Sequence, residues 1–260
     1  MTRMMHDHIA ALLAKNMRED GRKPLEYRKP IKVEYDISPK SSEGSAKVTI
    51  GETIVIAGVK LEVGTPFPDS PDEGNLMVNV ELTPLSNPEY ELGPPGAEAI
   101  EYARVVDRAL REGHALDTKK LCIKEGEKVW TVIVDLYPIN DAGNLFDAFS
   151  LAALAALKNA NFPTFDKKTE KVDYKKKTKT ALPLDKLPLE VTVIKINGTF
   201  IVDPTIEEWK SVDARLTVGV LENGTICAMQ KGGPKALTTD DLSQMIDIAT
   251  ENVAKLRKVL

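Results

Sequence analysis

Asp141-Ala-Gly-Asn-Leu-Phe-Asp-Ala-Phe-Ser-Leu-Ala-Ala-Leu-Ala-Ala156 is the stretch on which the architecture turns. It reads as the exit of a strand, a glycine turn, and a helix that is apolar almost all round and therefore buried. A turn that opens a helix has the shape of an anion site, because the first-turn N–H groups lack partners and the peptide dipoles add in one direction. The local charge contradicts that shape. No Lys, Arg or His occurs between Lys128 and Lys158, whereas Asp135, Asp141 and Asp147 all fall near the turn and would repel a phosphate.

Upstream of this stretch, Lys128 to Tyr137 reads as its buried strand, and Pro94-Pro-Gly96 opens a helix to Arg111, with Gly113 as a left-handed cap. One side of that helix carries Ala99, Ala103, Val106 and Leu110. Alternating and β-branched runs at Ile31–Tyr35, Ala46–Ile50, Thr53–Val63 and Leu76–Leu82 predict an antiparallel meander. Ile9, Leu12, Leu13 and Met17 predict an N-terminal amphipathic helix that ends near Gly21 and docks on another element.

Downstream, Asn161 to Pro188 carries three prolines and a lysine run at Lys167, Lys168, Lys171, Lys175, Lys176, Lys177 and Lys179, which reads as a boundary. Asn197-Gly198 and Asn223-Gly224 are hairpin signals between β-branched runs, and a helix with Leu242, Met245, Ile246, Ala249, Val253 and Leu256 on one face closes the chain. Each half thus runs from strands into helices. The fold class is α+β, with duplicated units. The expected division is an N-terminal helix and extension over 1–29, a first domain over 30–165, a linker over 166–188 and a smaller second domain over 189–260. Ala46-Lys-Val-Thr-Ile-Gly51 and Ala214-Arg-Leu-Thr-Val-Gly219 echo each other across the halves, a weak mark of duplication.

The chain has 260 residues, 42% of them apolar, 28% charged and 5% aromatic, with no apolar tract of membrane-spanning length. A formal charge of −4 excludes a general nucleic-acid coat and confines any RNA contact to local patches. Cys122 and Cys227 are isolated and read as strand filler, and the N-terminus lacks the uninterrupted apolar core of a signal peptide, so the expected compartment is the cytoplasm.

Three groups of residues carry possible chemistry. Arg104, Arg108 and Arg111 share a helix face and form a rail for phosphates, or else a solvated face in which Glu101 pairs with Arg104 and Asp107 with Arg111. Asp203, Glu207, Glu208 and Asp213 place four carboxylates in one loop, which is a magnesium or acid–base site or simply an acidic, wet turn. The lysine run is a solvated loop that could also graze RNA. His6, His8 and His114 have no metal-ligand spacing, and no P-loop, GxGxxG, GxSxG or HExxH motif marks a cofactor or a known catalytic class.

Four passages, taken in order, resemble the ribonuclease PH family over nearly the whole chain, and within it the non-catalytic ring subunits of the archaeal exosome. They are Arg18-Glu-Asp-Gly-Arg22, Gly44-Ser-Ala-Lys-Val-Thr-Ile-Gly-Glu-Thr-Ile-Val55, Ala103-Arg-Val-Val-Asp-Arg-Ala-Leu-Arg111, and Val202-Asp-Pro-Thr-Ile-Glu-Glu208 leading to Asp213-Ala-Arg215. The resemblance implies a ribonuclease PH-like fold. It also implies phosphate-driven 3′ to 5′ removal of nucleotides by the active members, which hold phosphate on a Gly-Thr-Arg or Gly-Ser-Arg turn. Here the matching turn is Gly143-Asn144-Leu145. Leucine supplies neither the charge-assisted hydrogen bond, roughly 1.5–3 kcal/mol, nor the transition-state donor, roughly 3–4 kcal/mol. The family's paired aspartates match as Glu207 and Asp213, a vestigial acidic site.

On this resemblance the chain has no catalytic residues, metal or cofactor of its own. It joins an active paralogue in a hexameric ring of three heterodimers, beside RNA-binding cap subunits, and uses Arg104, Arg108 and Arg111 to hold single-stranded RNA in register for the paralogue. Two other readings compete. One is an active phosphorolytic exoribonuclease with Lys158 or a linker lysine as its cation; the other is a kinase-like domain with magnesium on Asp203 and Asp213.

Overall fold

The computed structural model describes residues 3–166 and 169–260 of the chain. Lys167 and Lys168 of the lysine run lie outside the described residues. Helix α1 (Arg3–Leu13) is followed by strands β1 (Ile31–Tyr35), β2 (Gly44–Ile50), β3 (Thr53–Gly64) and β4 (Asn75–Val80). Next come α2 (Ala97–Glu112), β5 (Cys122–Lys124), β6 (Lys128–Asn140) and α3 (Leu145–Asn159). The chain continues through β7 (Asn161–Asp166), β8 (Lys171–Ala181), β9 (Leu189–Ile196), β10 (Thr199–Val202), α4 (Ile206–Lys210), β11 (Ala214–Val220), β12 (Ile226–Gly232) and α5 (Thr239–Leu256). None of these helices is long and apolar enough to cross a membrane.

The first sheet has the order β1-β2-β3-β6-β4, with β5 on β6. It is not the simple meander expected from the upstream runs, because β6 inserts between β3 and β4 and pairs with β4 in parallel. The strictly alternating burial of β3 from Thr53 to Leu61 turns one face of this sheet toward α3. The second sheet has the order β10-β9-β11-β12, and α5 packs on β9 and β11 through Met245, Ala249, Val253 and Leu256. The echoing segments occupy like places: β2 lies between β1 and β3, and β11 lies between β9 and β12, antiparallel to both in each case.

Helix α3 joins the halves. Leu145 through Leu157 are all buried, because the helix packs on β2 and β3 and also on β9. Each large apolar side chain so buried contributes about 1.5–3 kcal/mol. Its alanines permit close approach: a Cβ on Gly44 of β2 would come within 2.5 Å of the Ala156 carbonyl and 2.6 Å of Ala160. One continuous core runs through both halves, with Phe146 tilted and Phe149 edge-on against Tyr102 at centroid distances of 4.5 and 5.3 Å. A smaller cluster seats Ile9 and Leu13 of α1 against Ile194, Ile196 and Ile201, so the N-terminal helix does dock, on the second sheet.

Several local expectations are corrected. Helix α1 stops at Leu13 rather than near Gly21, because Asn16 takes the left-handed conformation (φ 57) and the Met17 N–H reaches back to the Leu12 carbonyl at 3.1 Å, which leaves Met17 exposed. Gly113 ends α2 with φ −76, and it is His114 that turns left-handed (φ 49). The glycine is required for space, since a Cβ would meet the Ala109 carbonyl at 2.4 Å and Pro188 at 2.7 Å. The lysine-rich stretch expected as a linker folds into the β7–β8 hairpin, anchored by Phe162 and Phe165 on Trp130 at 5.6 and 5.8 Å. Asn197 and Gly198, at φ 46 and 85, form the expected tight hairpin turn.

Candidate functional site

The turn between β6 and α3 is built by glycine geometry and then filled from inside the protein. Gly143 has φ 100, and a Cβ there would strike the Pro204 carbonyl at 2.3 Å, so the turn lies directly against the β10–α4 loop. The Gly143 N–H donates to Asp141 Oδ1 at 2.9 Å, and the Ala142 N–H donates to Thr53 Oγ1 at 3.3 Å. Two amides that an anion would use are therefore already bonded, one of them to an internal carboxylate. Asp141 is fixed in turn by the Tyr90 hydroxyl at 2.7 Å and by Asn87 Nδ2 at 3.3 Å.

A cation does reach this turn, contrary to the reading of the local sequence, and it arrives from more than a hundred residues upstream. Arg28 donates to the Ala142 carbonyl at 2.5 Å and to the Gly143 carbonyl at 3.0 Å, and it grips Asp203 through Nη2–Oδ1 at 2.7 Å and Nε–Oδ2 at 3.0 Å. Arg22 Nη1 adds a second ion pair to Asp203 at 3.0 Å, and Asn144 Nδ2 donates to it at 3.0 Å. Asp203 is fully buried and left-handed (φ 47), held in a strained conformation by these partners. The guanidinium of Arg28 approaches from the carbonyl side of the turn and spends its charge on Asp203, so it cannot face an anion at the amides.

Leu145, at the start of α3, is 2% exposed and belongs to the core. Two residues further on, Asp147 is completely buried yet accepts three hydrogen bonds, from Tyr27 Oη at 2.5 Å, Asn144 Nδ2 at 3.1 Å and the Thr192 N–H at 2.7 Å. Burial pushes its carboxyl up to about 7, against the pull of those three donors, with the charge of Asp203 adding to the rise. Asp147 thus ties the N-terminal extension, the turn and the second sheet at one point. Glu98, which lines a small cleft beneath the turn together with Asp141, Gly143, Asn144 and Leu145, is also raised, first by burial and then by Asp141, Glu101 and Glu89.

The four loop carboxylates separate into different roles. Glu208 is buried and paired with Arg18, whose Nε lies 2.8 Å from Oε1, and it also closes the capping box of α4 with Thr205. Arg18 reaches the carbonyls of Val202 at 2.9 Å and Asp203 at 2.8 Å. Glu207 is exposed on α4, while Asp213 accepts from the Asn197 N–H and from Lys235 Nζ, both at 2.8 Å, with His6 Nε2 at 3.5 Å. The expected pair of Glu207 and Asp213 therefore has two unlike surroundings, and neither lines the cleft beneath the turn. The magnesium reading finds no geometry: among the described residues no group of three His, Cys, Asp or Glu is arranged to hold a metal. Lys158, an alternative cation, sits at the far end of α3 and donates to the Leu260 carbonyl at 2.5 Å. At 1.5 Å per residue that is about 20 Å from Leu145.

The arginines of α2 all lie on its exposed side. Arg104 has no ion pair among the described residues, because Glu101, the partner a local reading gives it, pairs instead with Arg215. Arg215 is itself clamped, with its guanidinium 4.2 Å from the Phe146 ring and 5.3 Å from that of Trp209. Arg108 Nη1 donates to Gln230 Oε1 of β12 at 3.1 Å, and Arg111 pairs with Asp107 at 2.5 Å. The rail therefore has one free member, one held by a neutral amide and one locally neutralised.

A family model described as 3′ exoribonuclease family, domain 1, matches residues 27–163, and its companion, domain 2, matches residues 186–252. The chain belongs to the 3′ exoribonuclease (RNase PH) family. Its relatives include proteins named exosome complex component Rrp42. The one from Methanosarcina acetivorans is 44% identical over 96% of this chain and 91% of the relative, and the one from Methanothermobacter thermautotrophicus is 42% identical over 97% and 92%. A solved structure described as the Archaeoglobus fulgidus exosome with RNA bound to the active site superimposes with a TM-score of 0.89 at 40% identity, covering 98% of this chain and 97% of that one. An archaeal exosome core structure gives 0.84 at 38%, covering 98% and 95%. The RNase PH family assignment and the α+β fold read from the sequence both hold. The pairing of Arg28 with Asp203 is not legible from local pattern, and its one signal in the sequence is the stretch from Arg18 to Arg28, rich in arginine and without helical or strand periodicity.

Proposed function

We propose that this chain is a non-catalytic ring subunit of an RNA exosome, binding single-stranded RNA beside the phosphorolytic site of an active paralogue. The observation that carries the reading is the state of the turn: Leu145 is buried where a cation is needed, and the Gly143 amide is occupied by Asp141. Family membership and similarity to proteins named as exosome components support the assembly. The exposed arginines of α2 support the RNA contact. Backbone contacts of this kind do not read sequence, so the substrate range is broad. Their task is to present the 3′ end in register to a partner's chemistry.

The test is reconstitution. Purified chain with poly(A) and inorganic phosphate yields no nucleoside diphosphates, addition of an active RNase PH-like paralogue restores turnover, and Arg108→Glu lowers that turnover while the native mass of the assembly stays the same. Turnover by the isolated chain would sink the reading in favour of an active exoribonuclease.

A further inference from the structure

The β7–β8 hairpin departs from the charge character of the rest of the chain. The protein carries a formal charge of −4, yet β8 holds Lys171, Lys175, Lys176, Lys177 and Lys179 against one acid, Asp173. Lysines elsewhere are commonly paired, as Lys47 is with Glu34 and Lys195 with Asp241, both at 2.6 Å. Here Lys171, Lys175, Lys177 and Lys179 have no ion pair among the described residues, and Lys176 has only a long one to Asp173 at 3.7 Å.

The backbone accentuates this display. The register jumps from Pro163↔Lys177 to Thr164↔Asp173, so Tyr174, Lys175 and Lys176 bulge out of the ladder. An unbroken strand would turn alternate side chains inward, but Tyr174 through Lys177 are four consecutive exposed residues. The bulge is held in shape: Thr164 Oγ1 donates to the Lys176 carbonyl at 2.9 Å, and the Lys175 N–H donates to Asp173 Oδ1 at 3.0 Å. Within it Tyr174 is 44% exposed, with Lys60 Nζ over its ring at 5.1 Å from the centroid. The hairpin also has a firm base in the Phe162 and Phe165 rings on Trp130.

We infer that the β7–β8 bulge is a second binding surface for single-stranded RNA, in which Lys175, Lys176 and Lys177 contact phosphates and Tyr174 stacks on a base. An exposed aromatic flanked by lysines that are unpaired or only loosely paired, on a rigid support, is what a strand of bases and phosphates requires, since stacking tolerates any base and cations follow the backbone. An acidic protein surface would use the lysines but gain little from the exposed Tyr174. The inference rests on the RNA-binding reading above, but its residues lie on β8 and not on α2, so the two RNA contacts are expected to fail separately.

The experiment measures binding of a fluorescently labelled oligoadenylate to the full chain by anisotropy over a range of salt concentrations, with melting temperatures recorded for every variant. Lys175→Glu/Lys176→Glu/Lys177→Glu is expected to flatten the slope of log affinity against log salt by about 0.7 per lost phosphate contact, so about two in all. Tyr174→Ala is expected to weaken binding about fivefold or more at high salt, while Tyr174→Phe binds like the parent. Unchanged slope and affinity in the triple variant would overturn the inference. So would wild-type binding by Tyr174→Ala, or competition by polyglutamate as strong as that by poly(A). An Arg104→Ala/Arg108→Ala/Arg111→Ala variant run in parallel isolates the α2 contribution; if it binds normally while the hairpin variants do not, the α2 reading fails and this one stands.

Discussion

Arg28 and Asp203 are locked face to face beneath the β6–α3 turn, with Nη2 2.7 Å from Oδ1 and Nε 3.0 Å from Oδ2, and the backbone N–H of Arg28 also donates to Oδ2 at 2.7 Å. This pair fastens the N-terminal extension to the β10–α4 loop and, through the carbonyls of Ala142 and Gly143, to the turn itself.

Breaking that lock leaves a buried charge without its partner. Asp203→Ala is expected to destabilise the chain by about 3–5 kcal/mol, and Arg28→Met/Asp203→Ala by less than the sum of the single changes. Urea unfolding midpoints, taken as a double-mutant cycle, check both statements.

Gly143→Ala meets two obstacles at once, the positive φ of 100 and the Pro204 carbonyl at 2.3 Å. A loss of about 2 kcal/mol or more is expected, with no compensating change in RNA affinity. Thermal melts and oligonucleotide titrations on the same preparation separate the two quantities.

Restoring the family's cation does not restore its chemistry. Leu145→Arg places a charge in the core and still finds the Gly143 amide bonded to Asp141. The expected result is a chain less stable by several kcal/mol, on the order of 2–5, that releases no nucleoside diphosphate from poly(A) and phosphate. Phosphorolysis by this single variant would contradict the role given to Asp141.

Arg104, Arg108 and Arg111 should contribute unequally. Among the described residues Arg104 has no ion pair, Arg108 leaves a neutral amide, and Arg111 must give up Asp107 before it can hold a phosphate. Single alanine substitutions are expected to weaken single-strand binding in the order Arg104, Arg108, Arg111. Each true phosphate contact flattens the salt slope by about 0.7 when it is lost.

Asp147 sets a pH dependence whose sign follows from its environment. Its carboxyl titrates at about 7 in the folded chain, against 3.8 ordinarily, so the folded state holds the proton more tightly than the unfolded state does. Its contribution is fully present below about pH 4 and is lost as pH rises through about 7. The raised carboxyls of Glu190 and Glu98 act in the same direction, both pushed up first by burial. Denaturant midpoints measured from pH 5 to 8 should fall across that range, and Asp147→Asn should reduce the fall.

Much of this was legible in the residues. The all-apolar helix after Gly143, the aligned arginines of α2, and Asn197-Gly198 carry local signals that depend only on periodicity or on tolerance of positive φ. What escaped was non-local. The insertion of β6 beside β4 depends on packing under α2 and α3, which no run of side chains announces. Arg28 lies 114 residues from the Ala142 carbonyl it binds, so no local pattern of residues links the two. The lysine hairpin read as a linker because Pro163 and consecutive lysines break alternation. In the folded chain that break is a bulge, one of the places where a strand accepts proline.

Helix α3 has no wet side, since one sheet covers it in front and the other behind. A body braced in this way has no internal hinge at its middle. Bending between the two sheets would open that helix to water, so the halves are expected to move together as one rigid stave.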